Sequence, residues 1–173
     1  MVLVRGTQKL LMRLKGHGVD AMAESTTALG DWYGNVFFTR RARLVFLVSN
    51  RSLLSVFVPA RDWPNFSSHF RSSVSDVLQG LGIPEIALAA ELREMEEVKF
   101  GRTASRTVLG SMIDLAYQAR WELEEQPDIT LPELAIKLSR VPCGPIGMAY
   151  PREVAAALLT GSRKARCHSE RSA

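Results

Sequence analysis

Cysteine is scarce: Cys143 and Cys167 are the only two in 173 residues, far apart and in no C-x-x-C pair. That excludes a disulfide framework and leaves no zinc or redox signature. Glycine (12) and proline (8) are too few for a collagen-like or low-complexity chain. No apolar run approaches the ~20 residues that a membrane-spanning helix needs. The longest are Leu44 to Val48 and Leu53 to Ala60. Arg5, Lys9, Arg13 and Lys15 interrupt the opening segment, so no secretory h-region exists. The expectation is a cytoplasmic protein with no membrane contact and a core large enough to fold without staples.

Catalytic signatures are missing as well. His17, His69 and His168 show no H-x-x-x-H or H-x-E spacing, and His69 has no carboxylate placed to orient it as a base. Neither G-x-G-x-x-G nor a Walker loop occurs, and Gly110-Ser111-Met112 is no nucleophile elbow. Glu91, Glu94, Glu96 and Glu97 lack the spacing of a calcium loop and read as a solvated helix face. Cys143 reads as a small, half-buried loop residue. No metal and no cofactor is implied.

What is present begins with charge. The net +4 divides into +5 over residues 1–82, −4 over 83–160 and +3 over 161–173. A basic first half and an acidic second half suit a polyanionic partner, or two halves that attract each other within one fold.

The apolar pattern predicts an α+β domain over residues 1–160, followed by a disordered basic tail over 161–173. Val2 to Arg5 reads as a strand and Thr7 to Lys15 as a helix closed by Gly16 and Gly18. Asp20 to Ala28 reads as a loop or weak helix. Residues 29–58 alternate and then run apolar, the pattern of a three-stranded antiparallel meander with turns at Arg40-Arg41-Ala42 and Ser49-Asn50-Arg51. Pro59 stops it, and the opening strand flanks it. Four or five helices follow. Trp63, Phe66, Phe70, Val74, Val77 and Leu81 mark the first, and Pro84 opens a second that Gly101 breaks. In that second helix Leu88, Leu92 and Met95 face inward and Glu91, Glu94 and Glu97 outward. Val108, Met112, Leu115 and Ala119 stripe a third over about Ser105 to Glu125. Thr130-Leu-Pro-Glu133 is a capping-box start, and Pro151 opens the last helix.

Two constellations carry candidate chemistry. In the first, Asp31, Trp32, Tyr33 and Asn35 precede Arg40, Arg41 and Arg43. Strand aromatics beside a basic hairpin suit base stacking and phosphate contact. The same pattern suits a core tryptophan beside a soluble hairpin tip. In the second, Arg102, Thr103, Ser105 and Arg106 precede an apolar helix. They suit an anion at a helix start. They equally suit a Thr103 or Ser105 cap, with Arg102 and Arg106 paired to Glu94 or Glu97.

At these motifs the chain resembles a bacterial family described only as a domain of unknown function. The likeness rests on Leu29-Gly-Asp-Trp-Tyr-x-Asn35, Leu44 through Val58 with Asn50 and Pro59, and Leu81-Gly-Ile-Pro84. It continues through Arg102-Thr-x-x-Arg106-x-Val-Leu-Gly-Ser-Met-x-Asp114, Pro142-Cys143 and Tyr150-x-x-x-Val154. Ile113 departs from it, standing where the resemblance implies Asn. The resemblance implies a small cytoplasmic protein, in some members encoded near mobile genes, and carries no activity. Three readings follow: a non-enzymatic binding or regulatory module contacting nucleic acid or a protein partner, an enzyme, and a structural subunit. The enzyme would act on a phosphorylated or nucleotide-like substrate, with Asn35, Arg102 and Arg106 on the anion and Asp31 or Asp114 as acid/base.

Overall fold

The computed structural model describes residues 1–14, 23–40, 42–61 and 63–161. Expectations for Gly16, His17, Gly18, Arg41, Cys167, His168 and the tail from residue 162 lie outside the described residues.

The class is α+β. A five-stranded sheet has the order β4-β3-β2-β1-β5, built from β1 (Val2–Gly6), β2 (Trp32–Phe38), β3 (Arg43–Ser49), β4 (Ser55–Pro59) and β5 (Val98–Arg102). The meander β2-β3-β4 is antiparallel as expected, but β1 runs parallel to both β2 and β5, so the sheet is mixed. β1 flanks the meander as expected, on its β2 side, but as an interior strand. It lies between β2 and β5, and Val2, Leu3 and Val4 are fully buried, as the near-continuous apolar run of an interior strand requires. Pro59 ends β4 rather than following it, paired with Leu44 on an edge strand, where a missing N–H costs nothing.

Six α-helices are described: α1 (Gln8–Leu14), α2 (Phe66–Gly80), α3 (Glu85–Glu94), α4 (Arg106–Glu125), α5 (Leu131–Leu138) and α6 (Pro151–Thr160). The expected helix from Pro84 to Gly101 is corrected here. It stops at Glu94, and Val98 to Arg102 turns extended to pair with β1. Only β1 presents a long row of free backbone groups at that edge, and pairing satisfies both partners.

The two sheet faces carry different cores. On one, Trp32 meets Phe70 of α2 edge-on at 5.4 Å, Phe100 tilts against Phe66, and a Cβ on Gly34 would strike Leu10 of α1. On the other, Phe37, Phe46 and Phe57 form an aromatic trio with centroids 4.9 to 6.0 Å apart. Alternation along β2 also places Tyr33 on that face, under α4. Each such aromatic pair adds about 0.5–1.5 kcal/mol beyond its buried area. Ser105 caps α4 by accepting from the Val108 N–H, and Thr130 with Glu133 closes the expected capping box on α5.

Candidate functional site

The Leu29–Asn35 motif starts with a turn that only glycine fits. Gly30 has φ +75°, and a Cβ there would collide with the Asn50 side-chain oxygen. The turn delivers Asp31 to Arg5, whose Nε donates to Asp31 Oδ2 at 2.6 Å with both side chains 8 % exposed. Asp31 Oδ1 accepts from the Ser25 N–H at 3.0 Å and the Ser25 hydroxyl at 2.7 Å. Arg5 also donates to the carbonyls of Ala23 and Arg102. Asp31 is thus engaged at both oxygens, and the acid/base role open to it in sequence is occupied by an ion pair. A cavity of about 360 Å³ opens over this network, lined by Arg5, Ser25, Asp31, Tyr33, Asn50 and Arg51 among others.

The two aromatics of the motif are interior. Trp32 is fully buried and Tyr33 is 3 % exposed. The stacking expectation for both is therefore corrected: packing on Phe70 takes Trp32, and the Tyr33 hydroxyl accepts from the Ser105 N–H at 3.1 Å to seat the start of α4. Asn35 is exposed, its Oδ1 accepting from the Thr7 hydroxyl at 2.9 Å.

Arg102 and Arg106 are exposed, and Thr103 is half-buried. Their expected pairing with Glu94 or Glu97 does not form. Glu94 takes the Thr26 hydroxyl and the Met1 nitrogen, and Glu97 takes Lys99 at 3.2 Å. The reason is β5 itself: five extended residues separate Arg102 from that acidic end by roughly 15 Å. Nor do Asn35, Arg102 and Arg106 form one anion pocket. Gly6 pairs with both Gly34 and Arg102, so alternation turns Arg102 to the sheet face opposite Asn35.

Arg40 and Arg43 are exposed at the β2–β3 hairpin and make no ion pair among the described residues. The turn is held by Thr39, whose N–H donates to the Ala42 carbonyl at 2.9 Å and whose hydroxyl oxygen accepts from the Ala42 N–H at 2.8 Å. Beside it Phe38 is 57 % exposed, with the Arg43 guanidinium 6.0 Å over its ring. Phe38 was not singled out in sequence. Its signal was its place next to the turn on a strand whose alternate residue, Phe37, is buried.

Two more residues escaped the sequence reading. Arg5 is one, legible as a lone charge inside a five-residue strand that is buried throughout. Glu91 is the other, and it corrects the solvated acidic face. It is 3 % exposed, and its two oxygens accept the N–H groups of Ala28 at 2.7 Å and Leu29 at 3.1 Å. Leu88, Glu91 and Met95 share one helical stripe, which is the signal that was available. Burial pushes the Glu91 carboxyl above the usual carboxylate range, against the opposing pull of the Leu29 and Ala28 amides.

A second cavity, about 510 Å³, lies between α4 and the loop after α5, lined by Asp114, Tyr117, Pro142 and Cys143 among others. Burial, then the nearby Asp114 carboxylate, raise the Cys143 thiol above its ordinary value, which disfavours the nucleophilic thiolate. Among the described residues no group of three His, Cys, Asp or Glu side chains could hold a metal, and no helix is long and apolar enough to cross a membrane.

The paired motifs that open and close this site fall within one family match, to a domain of unknown function (DUF6933), over residues 3–154. The chain belongs to the DUF6933 family. The matched span takes in the sheet from Leu3 onward, α1 to α5 and both cavities. No curated protein and no solved structure matches the chain.

Proposed function

We propose that this DUF6933 domain is a non-enzymatic binding module that contacts single-stranded nucleic acid through the tip of its β2–β3 hairpin. The observation that carries the reading is the exposed Phe38 ring under Arg43, next to an Arg40 that has no carboxylate partner among the described residues. A ring face accepts a stacked base of any identity, and flanking guanidinium groups take the adjoining phosphates. The hydrogen-bonded Thr39–Ala42 turn holds that geometry without a ligand, which reduces the ordering cost of binding.

Fluorescence anisotropy of the full-length protein with 20-nucleotide single-stranded RNA and DNA, from 25 to 200 mM salt, tests the reading. Affinity is expected to fall steeply with salt, at about 0.7 log units per log unit of salt for each phosphate contact. Arg40→Glu/Arg43→Glu should weaken binding at least about tenfold and flatten the salt slope. Phe38→Ala should cost about 1–3 kcal/mol, the worth of one stacked base. Absence of binding at 25 mM salt refutes the proposal. Binding that the hairpin variants leave unchanged also refutes it, and moves the contact elsewhere on the chain.

A further inference from the structure

Helix α4 buries Val108, Ser111, Met112, Leu115 and Ala119. At 3.6 residues per turn, Arg106, Gly110, Ile113, Tyr117, Trp121 and Glu124 fall within an arc of about 80° on the side facing directly away from that core. All six are exposed. The three large apolar ones are 71 %, 74 % and 56 % exposed in that order, a contiguous i, i+4, i+8 stripe on one helix. Isolated exposed apolar residues are ordinary on a folded surface, whereas a continuous row of three is the mark of an interface.

The ends of the stripe say what covers it. Its N-terminal end carries Arg106 and its C-terminal end Glu124, with Glu125 alongside. None of these three makes an ion pair among the described residues. A stripe that is basic at one end, apolar in the middle and acidic at the other is complementary to itself turned end for end.

We infer that α4 is the contact face of a symmetric dimer in which two copies of this helix pack antiparallel about a twofold axis at Tyr117. That register sets Ile113 opposite Trp121 of the second copy. It seats the Trp121 ring in the hole between Gly110, Ile113, Asp114 and Tyr117, where a Cβ on Gly110 would meet nothing within 4 Å of its own chain. It brings Arg106 of each copy within about one turn of the other's Glu124, and it opposes the two helix dipoles. A parallel pair would set arginine against arginine and glutamate against glutamate. The face is small, near the lower bound of ~1,200 Å² for stable complexes, so dissociation in the micromolar range is expected. The inference is independent of the hairpin, which lies outside this stripe.

Sedimentation velocity of the full chain from 5 to 500 µM tests it. The wild type should pass from monomer to dimer across that range, and Tyr117→Glu should remain monomeric at 500 µM with an unchanged far-UV spectrum. Arg106→Glu should weaken the dimer about tenfold at low salt, and so should Glu124→Arg. The double variant Arg106→Glu/Glu124→Arg should recover most of the loss, because the pair is exchanged rather than removed. A wild type that is monomeric throughout overturns the proposal and leaves the stripe to a different protein. A dimer that survives Tyr117→Glu, or a double variant no better than the singles, overturns it as well.

Discussion

Replacing Asp31 with Ala isolates the contribution of the buried network beneath the Leu29–Asn35 motif. The Arg5 guanidinium would remain in a site where its side chain is 8 % exposed, with its 2.6 Å partner gone. The Ser25 N–H and hydroxyl would lose their acceptor at the same time. Removing one member of a buried ion pair costs about 3–5 kcal/mol, because the survivor is left charged and poorly solvated. Total stabilities are about 5–15 kcal/mol, so the loss is a large share of the whole. In urea, with a slope of about 2 kcal/mol/M, the midpoint should fall by roughly 1.5–2.5 M at unchanged slope. The double replacement Arg5→Met/Asp31→Leu removes both charges and should cost far less than Asp31→Ala, since an apolar pair of similar volume needs no counter-charge. An Asp31→Ala variant destabilised by less than about 1 kcal/mol would refute the reasoning, because the pair would then behave as a solvated surface bridge.

Two further outcomes follow from the ionisable groups. The native Glu91 carboxyl titrates above its ordinary 4.5, chiefly through burial, so between the unfolded and native values the folded chain holds the extra proton. Its contribution is complete below the unfolded value and is lost as pH rises through the native one. Glu91→Gln should therefore flatten the decline of the urea midpoint with rising pH from about 4.5. Glu94 and Glu133 are shifted the other way and are common to both proteins, so parallel profiles of wild type and variant would contradict the assignment. In a Cys167→Ser background, Cys143 should alkylate with iodoacetamide at pH 8 more slowly than a free thiol, and Asp114→Asn should speed it. A rate equal to that of glutathione would show the thiol to be neither buried nor disfavoured as an anion.

Helix α4 was legible in the sequence to within a residue because Val108, Met112, Leu115 and Ala119 recur at helical spacing and Ser105 stands at the cap. The capping box at Thr130 was legible for the same local reason. Strand β5 was not. Val98 to Arg102 carries no turn signal before it and follows helix-forming residues, and only the free edge of β1 draws it extended. Glu91 misled through its neighbours: three other glutamates within seven residues look like one wet face until the Ala28 and Leu29 amides are placed opposite it. Trp32 read first as a core residue, as strand aromatics usually are, with a stacking platform as the alternative, and its burial bears out the first.

By itself, the sequence determined what depends on near neighbours. The apolar period separated sheet from helix, Asn50 marked a turn, and the cysteines, histidines and glycines showed none of the familiar catalytic spacings. Tertiary structure alone decided the parallel placement of β1 between β2 and β5, the pairing of Arg5 with Asp31, and which aromatics face water. Those outcomes join residues 26 to 97 positions apart. Their energy comes from satisfying a buried charge or a bare strand edge with whatever the rest of the fold brings there, and no local window contains both partners.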